Sequence, residues 1–143
     1  MPPAVIRRCR IEECEAVLQV WRRAGSVPTV TDDVVSVRRL VAEGPGTLLV
    51  AERDGAIIGT IVAGWDGWRG AIYRVAVVPE QQRGGLGGAL VEAALDWLRE
   101  RGARRCTAVV HTDELHAMAF WRAMKAKGFA QQPVATRFVL NFD

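Results

Sequence analysis

The chain has 143 residues, 50% of them hydrophobic, which is one domain's worth of sequence with enough apolar side chains to bury a continuous core. Charged residues make up 24%, with 19 basic against 16 acidic and both signs interspersed, so the composition excludes disorder. No apolar run approaches the roughly 20 residues of a membrane span, and Arg7, Arg8 and Arg10 follow the amino terminus too closely for a secretion signal, so a cytoplasmic protein with no membrane partner is expected.

The net charge of +3 does not form a basic stripe: every basic residue except Lys125 and Lys127 is an arginine, and they are spread along the chain, which argues against nucleic acid as a partner. Cys9, Cys14 and Cys106 lack C-x-x-C spacing and are too few for a metal site, so reduced, buried thiols and no metal are expected. No repeat or linker interrupts the sequence, which reads as a single domain over residues 1–143.

A strand is expected over 5–10, then an amphipathic helix over 12–24 with Cys14, Val17, Leu18, Trp21 and Ala24 on one face and Gly25 as its stop. A second helix, capped by Thr31 or Asp32, runs to Glu43 with Val34, Val37, Leu40 and Val41 inward. Strands over 47–52 and 57–64 flank Asp54-Gly55, a hairpin signal, and a turn from Trp65 to Gly70 leads to a third strand over 71–78. Leu90, Val91, Ala94, Leu95 and Leu98 mark a long helix over 86–101, followed by a buried strand over 106–110, a helix over 113–127 and an alternating strand over 134–142. The expected order is β-α-α-β-β-β-α-β-α-β: an α/β (α+β) class with a mixed sheet, helices on its faces and a right-handed parallel crossover around the long helix.

The chemistry is written where the third strand of that meander ends. Val75-Ala76-Val77-Val78-Pro79-Glu80-Gln81-Gln82 leads into Arg83-Gly84-Gly85-Leu86-Gly87-Gly88, where glycines open a turn directly before the long helix. Glycine lets a ligand approach the backbone, and the first helical N–H groups lack intrahelical acceptors, so this turn suits a pyrophosphate. A P-loop would need Lys and Ser or Thr where Ala89 and Leu90 stand, which disfavours ATP or GTP hydrolysis. A dinucleotide fingerprint started at Gly85 would need a small residue at Leu90 and a place early in a βαβ unit, so an NAD reading fails as well.

The stretch Gln82-Arg83-Gly84-Gly85-Leu86-Gly87 resembles motif A of the GNAT superfamily of acyl-CoA-dependent N-acyltransferases, with its Gln or Arg-x-x-Gly-x-Gly or Ala pattern, and the element order resembles the GNAT fold over essentially the whole chain. The Trp65 to Tyr73 stretch looks like a bacterial subgroup of small acetyltransferases whose substrates are poorly defined. The resemblance implies acetyl-CoA as co-substrate and a primary amine of a small molecule or peptide as acceptor, attacked directly in a ternary complex. It implies that Val75, Ala76 and Val77 line the pantetheine arm like an added strand, and that Gln82, Arg83, Gly84, Gly85, Leu86, Gly87 and Gly88 hold the pyrophosphate. A homodimer is compatible with exposed strand edges.

The chain departs from the family where a leaving-group acid is usual. A Phe-Tyr pair normally precedes a Gly-Phe, but aligning on Phe120 places Trp121 at the tyrosine position, and aligning on Gly128-Phe129 places Met124 there. Neither residue gives up a proton. The asparagine that often precedes the pair is replaced by Glu114 or Ala117 in the two alignments. Tyr73, the only tyrosine, stands just before the cofactor-strand valines and is the catalytic candidate, with core packing as its alternative. His111, expected at the end of strand five, is the candidate base, with His116, Glu114, Asp113 and Asp66 as weaker alternatives that read equally as caps or loop residues. Trp65 and Trp68 offer flat apolar walls to an acceptor or pack over the sheet edge, and Cys106 reads as an inert core thiol. The missing tyrosine also motivates a second expectation, a catalytically weak acyl-CoA-binding module used for sensing or scaffolding.

Overall fold

The computed structural model describes residues 2–142. The backbone groups into two units, one ending at Val109 and one beginning at Val110.

The first unit is a sheet in the order β1-β2-β3-β4-β5, comprising β1 (Val5–Arg8), β2 (Thr47–Arg53), β3 (Ala56–Trp65), β4 (Gly70–Val77) and β5 (Cys106–Ala108). Neighbours from β1 to β4 are antiparallel and β5 is parallel to β4, so the meander and the crossover follow the order read from the pattern. Asp54 and Gly55 turn the β2–β3 hairpin at φ 53° and 77°, a pair of left-handed residues whose twist matches the flanking strands.

Three helices belong to this unit: α1 (Cys14–Arg23), α2 (Val34–Glu43) and α3 (Leu86–Glu100). The first strand is shorter than expected, because the Glu13 carboxylate accepts from the Arg10 N–H at 2.8 Å and a 3-10 turn over Ile11–Glu13 precedes α1. Cys14, Val17, Leu18, Val20 and Trp21 are buried on the inner face of α1, and Gly25 closes the helix at φ 77° while the Ser26 N–H donates to the Trp21 carbonyl. The cap of α2 is Asp33, not Thr31 or Asp32: its carboxylate accepts from the Ser36 N–H at 2.7 Å, because Asp32 is engaged elsewhere. Leu90, Val91, Ala94, Leu95 and Leu98 of α3 pack into the core with Val17, Val50, Ile61 and Val78, each large aliphatic contributing about 1.5–3 kcal/mol.

Two deviations from regular pairing shape β4. The register runs Gly59 against Val77 and Thr60 against Ala76, then shifts so that Val62 faces Tyr73; Arg74 and Val75 together stand opposite Ile61. This is a β-bulge, with Arg74 at φ 53°. Parallel pairing with β5 then covers only Gly70, Ala71 and Ile72. The strand expected over 106–110 is therefore cut to three residues and is half-buried, and Cys106 is not a core residue, because the bulge turns β4 away before a longer β5 could pair with it.

The second unit holds α4 (Leu115–Ala123), which runs into a 3-10 turn over Met124–Lys127 and stops at Gly128, at φ 100°. The expected final strand over 134–142 does not form among the described residues: Val134, Phe138, Val139, Leu140 and Phe142 are exposed, and this unit contains no strand with which an alternating segment could pair. No helix among the described residues is long and apolar enough to cross a membrane.

Candidate functional site

The bulge leaves one edge of β4 open immediately before the glycine-rich turn. Beyond Ile72 no residue of β4 is paired with β5. The Val78 N–H donates to the Ile58 carbonyl on the β3 side, so by strand alternation the polar groups of Val77 and Val75 lie on the opposite edge. On that edge the Val77 carbonyl accepts from Gln82 Nε2 at 3.0 Å.

Three successive side chains brace the connection from β4 to α3. Glu80 pairs with Arg23 of α1, Gln81 accepts from Arg53 at the β2–β3 hairpin, and Gln82 folds back on Val77. Arg23 holds the Glu80 carboxyl below the usual carboxylate range. Arg83 then adopts φ 71° and Gly85 φ 80°, so the chain reverses sharply into α3. Glycine accepts this conformation without cost, whereas Arg83 is strained in it. A Cβ added at Gly85 would meet nothing within 4 Å, and one at Gly84 only the Gln81 carbonyl oxygen at 3.7 Å, so both glycines face open space.

Gly85 is the N-cap of α3 and has no side chain to cap it; the first turn contains no acidic residue, and the first intrahelical bond begins only at the Ala89 N–H, which donates to the Gly85 carbonyl. The amides of Leu86, Gly87 and Gly88 are therefore left without intrahelical acceptors at the positive end of a 15-residue helix, whose dipole is equivalent to about half a unit charge. This arrangement has the polarity that an anionic group needs.

Tyr73 is not a core residue: it is 56% exposed, and its ring lies over Gly64 of β3. Asp66 is a turn former, its carboxylate accepting from the Trp68 and Arg69 N–H groups at 2.8 and 2.7 Å, and these backbone bonds, Arg69's first, hold it below its ordinary value. Trp68 is exposed and carries the Arg69 guanidinium 4.0 Å from its ring centroid, whereas Trp65 is the half-buried last residue of β3.

His111 is displaced from its expected place. Strand β5 ends at Ala108, and His111 lies in the turn before α4, its carbonyl accepting from the Glu114 N–H and its Nε2 standing 3.4 Å from Arg137 Nη2. The α4 cap is Glu114 rather than Asp113, and no side chain bonds there. Trp121 packs edge-on against Phe120 and Phe129, at 5.4 and 5.1 Å between centroids, and Met124 is buried, so both residues that stand at the usual tyrosine position serve packing.

The sequence pattern does not single out Thr60 or Arg74, and offers Asp32 only as a helix cap; all three surround the bulge. The available signal was polarity out of place: Thr60 interrupts an apolar strand, and Arg74 stands between Tyr73 and Val75 in another. Thr60 is wholly buried, accepting from Trp21 Nε1 at 2.9 Å and donating to the Arg74 carbonyl at 3.1 Å.

The sequence matches the model of the Acetyltransferase (GNAT) family over residues 12–126. It is 33% identical over 108 residues to an acetyltransferase of Photorhabdus laumondii, a match covering 76% of this chain and 76% of that protein. The backbone resembles that of an aminoglycoside antibiotic 6'-N-acetyltransferase from Acinetobacter haemolyticus, with a TM-score of 0.78 at 18% identity over 97% of this chain and 99% of the other. It also resembles the PaiA N-acetyltransferase from Thermoplasma acidophilum, solved in complex with coenzyme A, with a TM-score of 0.74 at 18% identity over 85% of this chain and 88% of the other. Because the family match extends from α1 through α4, and so takes in both the bulged strand and the turn that follows it, the chain belongs to the GNAT acetyltransferase family.

Proposed function

We propose that this acetyltransferase moves an acetyl group from acetyl-CoA to a primary amine of a small molecule or peptide, by direct attack within a ternary complex. One observation carries the reading: the Val75–Val77 edge of β4, which β5 does not pair and where Gln82 bonds only the Val77 carbonyl, runs straight into the uncapped amino terminus of α3. An extended amide-bearing arm fits the edge as an added strand, and a diphosphate fits the amides from Gln82 through Gly88. The coenzyme A complex of the Thermoplasma relative supports the same ligand class.

Acetyl-CoA supplies an acyl group on a thiol, a far weaker base than an alkoxide, so that thiolate departs without obligatory protonation. The residues of this chain bind and orient. Backbone N–H donors of the turn hold phosphate wherever side chains vary, and Arg83, exposed at the mouth of the turn, adds a charge-assisted contact. Tyr73, exposed just ahead of the Val75–Val77 edge, donates its hydroxyl proton to the departing sulfur in place of the tyrosine missing from α4. His111 is assigned as the base that takes the amine's proton, an assignment that His111→Gln tests by itself. Neither the cradle nor the edge contains a nucleophilic side chain, which supports direct attack over an acyl-enzyme.

Thiol release from acetyl-CoA in the presence of polyamines, amino acids, aminoglycosides and peptide amino termini tests the proposal. Acceptor-dependent thiol release is the expected result. A chain whose melting temperature rises with CoA but which releases thiol with no acceptor is a binder and not an enzyme for these amines.

A further inference from the structure

Arg74 occupies a left-handed conformation inside a strand, at φ 53°, which a long side chain rarely adopts. Such a residue favours return to extended geometry, which does not fit the bulged register that ends the pairing of β4 with β5 at Ile72. Two sets of contacts oppose that return. Toward the core, the buried Thr60 hydroxyl donates to the Arg74 carbonyl and is itself fixed by the Trp21 indole N–H. On the outer side, Arg74 Nη2 lies 2.7 and 2.9 Å from the two carboxylate oxygens of Asp32 and 3.0 Å from the Val27 carbonyl oxygen, with the guanidinium carbon 5.3 Å from the Trp21 ring centroid. Asp32 is in turn held by the Thr29 N–H and hydroxyl, at 3.3 and 3.2 Å, so the loop between α1 and α2 is tied to the bulge through this carboxylate and the Val27 carbonyl. The side chains of Arg74 and Asp32 are only 19% and 14% exposed, which shelters the pair from solvent screening.

We propose that Thr60, Arg74 and Asp32 are positioning residues for acetyl transfer: they hold the β4 bulge and so keep the Val75–Val77 edge free for the cofactor arm, acting through the Arg74 backbone without touching the reacting atoms. The inference rests on the acetyl-CoA reading above. Replacing Thr60 by valine preserves shape but leaves the Arg74 carbonyl and the Trp21 N–H without their partner in a buried place, so regular β pairing competes with the bulge. Replacing Asp32 by alanine removes the ion pair of the outer anchor and leaves the guanidinium only the Val27 carbonyl and the Trp21 ring.

The test is calorimetric titration of the full chain with CoA, well below each variant's melting temperature. Thr60→Val and Asp32→Ala raise the CoA dissociation constant by about tenfold and about fivefold, while Thr60→Ser, which keeps the hydroxyl, stays within about twofold. Glu13→Gln, which breaks an ion pair remote from the bulge, lowers stability and leaves CoA affinity within about twofold, separating positioning from general loosening. Should Thr60→Val fail to fold, Asp32→Ala decides. Wild-type affinity in both Thr60→Val and Asp32→Ala overturns the positioning role alone. Absence of CoA binding by the wild-type chain overturns the cofactor reading and this inference with it.

Discussion

A Cβ built on Gly64 would lie 2.8 Å from Tyr73 Cε2, so the tyrosine ring rests on bare glycine backbone one strand away. The contact directs an exposed side chain whose far end is otherwise free to swing. Gly64→Ala therefore displaces the ring rather than the strand: stability changes by less than about 1 kcal/mol, while the rate of acetyl transfer falls roughly tenfold, as it does for Tyr73→Phe. Thiol release at saturating acetyl-CoA, with melting curves alongside, checks both numbers. A Tyr73→Phe rate equal to wild type removes the hydroxyl from the mechanism.

Gly85 combines a left-handed φ of 80° with open space around its absent side chain. Gly85→Val pays for that φ directly, losing about 1–2 kcal/mol of stability. Asparagine tolerates the same conformation, so Gly85→Asn melts near the wild-type temperature while its side chain intrudes on the amides of Leu86, Gly87 and Gly88. CoA affinity falls by about tenfold or more in both variants. Calorimetry of Gly85→Asn is the cleaner measurement, because its fold is kept; undiminished affinity there moves the pyrophosphate away from this turn.

The helices α1 and α3 are legible because their apolar stripes repeat over two or more turns, and Gly25 marks where α1 must stop. The glycine turn is legible because few other residue types serve it. What the pattern does not carry is the bulge, since Ile72, Val75, Ala76 and Val77 read as one apolar run whether or not Arg74 breaks its register. The short β5 follows from that unseen bulge, and with it the misplacement of His111, expected on a strand that ends at Ala108. The 134–142 segment fails for a different reason: alternation records which side chains would share a face, but not whether a strand of the same unit exists to pair with it.

Glu13 is tied to Arg7 Nη1 and Nη2 at 2.8 and 2.7 Å, and it also accepts from the Arg10 N–H. The Arg7 hydrogen bonds hold its carboxyl at about 2, below the ordinary 4.5, and Arg7 is pushed up in turn. The unfolded chain takes up this proton near 4.5 and the folded chain near 2, so the stabilisation is complete above the higher value and is lost as pH falls through the lower one. A shift of that size corresponds nominally to about 3 kcal/mol, which solvent screening at a partly exposed site reduces to on the order of 1–2 kcal/mol. Urea unfolding followed from about pH 6 to about pH 2 shows this loss in the wild type, and Glu13→Gln flattens that part of the curve.

The three thiols bear on direct attack, since an acyl-enzyme needs an accessible thiolate. Burial, followed by the neighbouring Cys14, pushes the Cys9 thiol up to about 12; burial raises Cys14 and Cys106 as well. Cys9 and Cys14 are buried, so a disulfide-exchange reagent at neutral pH reaches them only when the chain opens, whereas half-buried Cys106 labels first. Mass spectrometry of partly labelled protein gives this order. Cys106→Ser then decides the chemistry: turnover within about twofold of wild type is the outcome for an amine that attacks the thioester itself, and loss of turnover with CoA affinity intact places an acyl-cysteine on the path.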